Sequence, residues 1–126
     1  MDNYGINKTI LLVDDDTDFC FLMTLLLRKQ GFKVITAHTL VSAEKELIAC
    51  DPNIILLDHH MPDGLGTEFI KINQFQLKGR YVIYISGEQN SVLKSELDLL
   101  DVFEFLPKPF HPSALNKIIY LAATLN

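Results

Sequence analysis

Five polar side chains in this 126-residue chain share one kind of position, each following closely on a short apolar run. Asp14 and Asp15 come after Thr9–Val13, Asp58 after residues 54–57, Ser86 after residues 81–85 and Lys108 after residues 102–106. If those runs are neighbouring strands, the five side chains meet at one edge. Three carboxylates within a few ångströms repel one another and either raise their pKa values or recruit a cation. A hard divalent ion held by carboxylates, a carbonyl and water suits magnesium. Lys108 supplies a compact positive charge able to pair with Asp58 or a phosphate, and Ser86 a hydroxyl donor. Such a set can neutralise charge on a phosphoryl group attacked in line by the Asp58 carboxylate, leaving an aspartyl phosphate.

The elements that must position these groups are legible in the hydrophobic pattern. Residues 54–57, Ile-Ile-Leu-Leu, lack polar alternation, as expected of a central parallel strand buried on both faces, and the run ends at Asp58. Met61-Pro62-Asp63-Gly64 reads as a tight loop that fixes Asp58 at a rigid rim. Around it the chain alternates. Strands are expected at Thr9–Val13, Lys33–Ala37, 81–85 and 102–106. Helices are expected from Asp16 or Thr17 to about Lys29, at Leu40–Cys50, 66–73, 91–100 and Pro112–Thr124. The first helix is expected to turn Phe19, Leu22, Met23 and Leu26 inward and to stop at Gly31. The second turns Ala43 and Leu47 inward, and the third Phe69 and Ile70. Five strands alternating with five helices give an α/β doubly wound parallel sheet with right-handed crossovers.

The totals set bounds. A composition 48% hydrophobic and 21% charged is that of a globular protein, which argues against disorder. A single domain over residues 1–126, with its core in 9–124, is expected. The formal net charge is −5, and the longest basic cluster is Arg28-Lys29, so neither nucleic acid nor an anionic membrane is suggested as a partner. Phe19 to Leu27 is too short to span a bilayer. The polar start lacks a signal-peptide apolar region, which makes a cytoplasmic location the default. Cys20 and Cys50 lack metal-ligand spacing and are expected to be free, packed thiols.

Taken in order, these motifs resemble the receiver domains of two-component response regulators. The resemblance runs from Thr9 to about Leu121. It rests on Ile-Leu-Leu-Val-Asp-Asp-Asp at 10–16, Asp58-x-x-Met61-Pro62 with Gly66 eight residues after Asp58, Ser86-Gly87, and Lys108-Pro109-Phe110. It implies a flavodoxin-like (βα)5 fold and a role in phosphorelay signal transduction. Asp58 would take phosphate from a phosphohistidine of a sensor kinase or phosphotransfer protein. Asp15 would ligate Mg2+ directly, Asp14 through water, and the His60 carbonyl would complete the protein ligands. Ser86 would bond the phosphoryl oxygen and Lys108 would be the family's lysine, with Lys108-Pro109 cis. The implied switch couples Ser86 to Phe105 by packing alone and remodels the surface of the fourth helix, fifth strand and fifth helix, through which a homodimer could also form. Lys94, Glu96, Asp98 and Asp101 are expected to be solvated there.

His60 and Glu88, two residues after Asp58 and Ser86 respectively, would flank the phosphoryl group and set its lifetime. Asp16 and Asp63 are expected to be cap and loop residues. His38, His59 and His111 are expected in surface or turn roles, and adjacent His59 and His60 are not expected to face one metal. Phe19, Phe69, Phe103 and Phe105 are expected in the core.

Two rival readings bear on the same residues. Asp14-Asp15-Asp16-Thr17 also resembles the Asp-x-Asp-x-Thr motif of haloacid-dehalogenase-type phosphatases, with Asp14 as nucleophile and Asp16 as acid/base. That pattern lacks an acidic pair downstream of Lys108 and leaves Asp58 idle. A receiver-like interaction module that no longer takes phosphate would be expected to have lost Asp14, Asp15, Asp58, Ser86 or Lys108, and all are present.

Overall fold

In a computed structural model, which describes residues 4–125, five parallel strands form one sheet. They are β1 (Thr9–Val13), β2 (Lys33–Ala37), β3 (Ile54–Asp58), β6 (Tyr81–Ser86) and β7 (Glu104–Pro107), in the order β2-β1-β3-β6-β7. β3 is central and every one of its residues is buried, as its unbroken apolar run requires.

Alternation along the strands divides the core into two layers. Ile10, Leu12, Ile54, Leu56, Ile83 and Ile85 face α1 (Thr17–Lys29) and α6 (Pro112–Thr124). Leu11, Val13, Ile55, Leu57, Val82 and Tyr84 face α2 (Leu40–Cys50), α3 (Gly66–Ile72) and α5 (Ser91–Asp98). Each fully buried Leu or Ile contributes about 1.5–3 kcal/mol of apolar burial. The strand tips are therefore fixed by the most stable part of the molecule.

Helix starts follow local chemistry. The Asp16 carboxylate accepts the Phe19 N–H at 3.1 Å and opens α1. The Thr39 hydroxyl accepts the Ser42 N–H at 3.0 Å and opens α2, and Pro112 stands in the first turn of α6. α1 is followed by Gly31 at φ 95°, where a side chain would be strained.

Several details depart from expectation. The buried stripe of α1 is Cys20, Met23 and Leu27, whereas Leu22 and Leu26 are exposed. The helix is rotated so that its Leu-rich face meets solvent. A sixth, one-turn helix, α4 (Gln74–Leu77), follows α3. Asn73 separates them: its side-chain amide and its backbone N–H both bond the Phe69 carbonyl and end α3. The loop after β3 contains a short antiparallel hairpin, β4 (His60–Met61) with β5 (Gly64–Leu65). Residues 102 and 103 precede the last strand. Glu96 is half-buried and its carboxylate lies 2.5 Å from Lys71 Nζ, so it is paired and not merely solvated. Of the four phenylalanines expected in the core, Phe69 is buried, while Phe19, Phe103 and Phe105 are half-buried against the core's edges. Cys20 and Cys50 are free. Among the described residues no helix is long and apolar enough to cross a membrane.

Candidate functional site

The sheet order places β1, β3, β6 and β7 side by side, so the residues at their carboxyl ends meet. Asp14, Asp15 and Asp58 each bring a carboxylate oxygen within 4.8 Å of the others. Lys108 Nζ lies 3.2 Å from Asp58 Oδ1 and 3.6 Å from Asp14 Oδ2. The Lys108 N–H donates to the Ser86 carbonyl at 2.8 Å, tying the β6 and β7 tips together. The Lys108-Pro109 peptide is cis.

The carboxylates differ in their surroundings. Asp15 is exposed, whereas Asp14 is 1% and Asp58 7% exposed. Burial is the main reason that both the Asp14 and the Asp58 carboxyls are held above their ordinary pKa. Burial acts to lower the Lys108 pKa, but the charges of Asp14 and Asp58 outweigh it and the ammonium is held more tightly than usual. Asp14 Oδ1 accepts the Asp16 N–H at 2.9 Å. Asp14 Oδ2 is buried without a hydrogen-bond partner among the described residues. An ionised oxygen left so is costly, and with two neighbouring carboxylates it suits a hard cation. The residues present fit Mg2+.

Asp58 Oδ1 accepts from Lys108 and, at 3.0 Å, from the His59 N–H. Gly66 closes the site from behind: its N–H donates to the His59 carbonyl at 2.8 Å. Ser86 is 1% exposed, and its hydroxyl accepts the Glu88 N–H at 2.9 Å. Phe105 packs half-buried against the layer that contains Tyr84.

Asp16 is a cap, as noted. Asp63 is a loop residue that caps from a distance, its two carboxylate oxygens accepting the Leu40 and Val41 N–H groups at 2.8 and 3.0 Å. These bonds, the Leu40 one foremost, hold its pKa below the ordinary value. His38 Nδ1 donates to the Asp14 carbonyl at 2.9 Å, and His111 caps α6.

His59 is the exception. It is 5% exposed, and its Nδ1 is hydrogen-bonded to the Tyr84 hydroxyl. Its Nε2 lies 3.7 Å from Glu88 Oε2, and His60 Nε2 is 2.6 Å from Glu88 Oε1. Contrary to expectation, the two adjacent imidazoles do face one position together with Glu88. The hairpin β4–β5 turns His60 back beside His59, which an ordinary loop would not do. The sequence held one clue: Tyr84 lies in a strand buried on both faces, where its hydroxyl requires a partner.

A sequence model of the family described as "Response regulator receiver domain" matches residues 10–120. The chain is 35% identical over 111 residues to the transcriptional regulatory protein CitB of Klebsiella pneumoniae, covering 86% of this chain and 47% of that protein. It is 38% identical over 115 residues to the transcriptional regulatory protein CpxR of Escherichia coli K12, covering 87% and 46%. It thus spans about half the length of these curated relatives. Among solved structures, the non-phosphorylated HemR receiver domain of Leptospira biflexa superposes with a TM-score of 0.89 at 23% identity, over 95% of this chain and 97% of that one. The chemotaxis protein CheY4 of Vibrio cholerae gives 0.83 at 26% identity, over 91% and 98%. With the motif order, the sheet order and these matches in agreement, the chain belongs to the response regulator receiver domain family.

Proposed function

We propose that residues 1–126 form one receiver domain, and that it accepts a phosphoryl group on Asp58 from a phosphohistidine of a sensor kinase or phosphotransfer protein. The observation that carries this reading is the placement of Asp58 against Lys108, Asp14 and Asp15 at the strand tips. The hydrogen bonds from Lys108 and His59 fall on Asp58 Oδ1, which leaves Oδ2 as the nucleophile. An O–P bond forms there as the N–P bond of the donor breaks. Lys108 balances charge on the transferring group.

Asp15 and Asp14 would hold Mg2+, Asp15 directly and Asp14 through water, with Asp58 and the His60 carbonyl completing the set. When bound, the ion supplies positive charge to the carboxylates and to the phosphoryl oxygens. Ser86 leaves its bond with the Glu88 N–H to donate to a phosphoryl oxygen, and Phe105 follows it inward. The face of α5, β7 and α6 is then the surface read by partners, a second copy of the chain included. The domain is a phosphoacceptor that promotes its own phosphorylation and dephosphorylation, with no separate substrate turned over. The relatives named as transcriptional regulators are about twice as long as this match, so the absence of direct nucleic-acid contact is proposed for these 126 residues only.

The test is intact-mass analysis with Mg2+ and acetyl phosphate, beside Asp58→Asn. A Mg2+-dependent, base-labile gain of one phosphate, absent from the variant, is the expected result. No adduct on folded protein would point to a phosphate-independent module. Phosphate release that survives Asp58→Asn but not Asp14→Asn would point to a phosphatase.

A further inference from the structure

We propose that His59, His60 and Glu88 form a second metal site, separate from the acidic pocket and selective for a zinc-class transition-metal ion. Their ligand atoms all lie within 4.8 Å of one another. Glu88 bridges the pair, with Oε1 2.6 Å from His60 Nε2 and Oε2 3.7 Å from His59 Nε2. A tetrahedral ion with bonds of about 2.0–2.1 Å spaces its ligand atoms roughly 3.3 Å apart, inside the 4.8 Å within which one ligand atom from each of the three residues already lies. The rings stand 4.7 Å apart between centroids, so a small convergence of exposed side chains closes the site.

The donor set decides which ion it takes. Two imidazoles and one carboxylate are borderline ligands suited to Zn2+, Co2+ or Ni2+, whereas Mg2+ prefers oxygen alone. Three protein ligands leave a position open for water or another ligand.

The least mobile ligand is already oriented. A metal-bound histidine needs its other ring nitrogen held by a hydrogen bond, which fixes tautomer and direction. His59 Nδ1 is held in this way by the Tyr84 hydroxyl, and Tyr84 is fully buried. With Nδ1–H donating to the phenol oxygen, the Nε2 lone pair faces Glu88. The other two ligands are accessible, with His60 63% and Glu88 46% exposed at the side chain. The ligand set does not include Asp58 and needs neither its charge nor its phosphorylation, so the site stands or falls independently of the phosphoacceptor reading.

The test is titration of the whole chain with Zn2+ by calorimetry, and with Co2+ by visible absorption, in excess Mg2+. One equivalent is expected to bind. Loss even of an outer partner of a metal site costs about 10–100-fold in affinity. His60→Ala and Glu88→Ala are therefore each expected to weaken binding at least ~10-fold, and Tyr84→Phe about 10-fold while keeping the fold. Asp14→Asn should leave the Co2+ spectrum unchanged. Absence of binding, or binding lost in Asp14→Asn but kept in His60→Ala, would overturn the proposal. Because His60 and Glu88 are exposed, their replacement tests the site without disturbing the core.

Discussion

Gly66→Ala offers a sharp test of how the central strand β3 is held. Gly66 is buried at the start of α3, and its φ is not positive, so backbone conformation does not demand glycine there. Space does. A Cβ at this position would lie 2.8 Å from the Asp58 carbonyl oxygen and 2.8 Å from both Cε1 and the hydroxyl of Tyr84. One obstacle is the backbone of the central strand and the other a fully buried ring, so no flexible side chain can swing aside. Overpacking of this kind costs about 1–3 kcal/mol. Replacing glycine with alanine returns about 0.4–1 kcal/mol by restricting the unfolded chain. A net loss of about 1–2 kcal/mol should remain, or roughly 4–8 °C in the unfolding midpoint for a chain of this length. Gly87→Ala is the control, since nothing lies within 4 Å of its would-be Cβ, and it should stay within about 0.5 kcal/mol of the parent. Thermal and urea unfolding followed by circular dichroism would read both. If Gly66→Ala unfolds at or above the midpoint of Gly87→Ala, the steric account of this contact is wrong.

Asp63→Ala should destabilise by about 1 kcal/mol at neutral pH, the usual cost of a lost helix cap, because Asp63 accepts two N–H groups at the start of α2. Its carboxyl is held below the ordinary aspartate value of about 3.8 by the Leu40 N–H foremost, so the stability it contributes is present above that pH and is lost as pH falls through the lowered value. Acid unfolding curves of the two proteins should converge below pH 3.8, and a constant gap would contradict the charge-assisted cap. Mg2+ at ten times its dissociation constant should stabilise the parent by about 1.4 kcal/mol. It should leave Asp14→Asn unmoved, which without Mg2+ is expected to be the more stable protein; equal Mg2+ shifts would remove Asp14 from the site. His60→Ala with Glu88→Ala should speed loss of phosphate from Asp58 severalfold, as read by intact mass over time, if the two positions, each two residues beyond a strand-tip residue of the pocket and paired with each other at 2.6 Å, limit the approach of water. An unchanged decay rate would remove both from that role.

What was legible in the sequence was what depends on short-range pattern. The unbroken apolar run of β3 and the strand-tip acids gave the sheet and the convergence of Asp14, Asp15, Asp58 and Lys108. Ala43 and Leu47 gave the inner face of α2. The rotation of α1 was hidden because Leu occupies residues 22, 25, 26 and 27, so hydrophobicity marks several faces equally. Only packing into the layer they share with β1, β2, β3 and α6 selects Cys20, Met23 and Leu27. His59 was hidden for a different reason. Its partners are 25 and 29 residues away on β6 and the loop after it, and the turn read at Met61-Pro62-Asp63-Gly64 does not reveal that His60 pairs with Leu65 across it.

The same contacts explain why the acidic pocket resists a purely structural reading. One ammonium faces three carboxylates, two of them almost fully buried, and one carboxylate oxygen has no hydrogen-bond partner among the described residues. Like charges this close repel one another, and Lys108, at 3.2 and 3.6 Å from two of the carboxylates, brings one positive charge against three negative ones. Selection for stability alone would favour replacing Asp14 by a neutral residue, since its burial disfavours the charged form. Residues that weaken the fold where they stand are best accounted for by what they bind, and here the excess negative charge suits a cation, as the proposed function requires. His59 makes the complementary case. Its hydrogen bond to a buried phenol is satisfied within the fold, but its second nitrogen points out toward an exposed carboxylate and an exposed imidazole. Core packing does not require that outward arrangement, whereas a bound metal ion would use it.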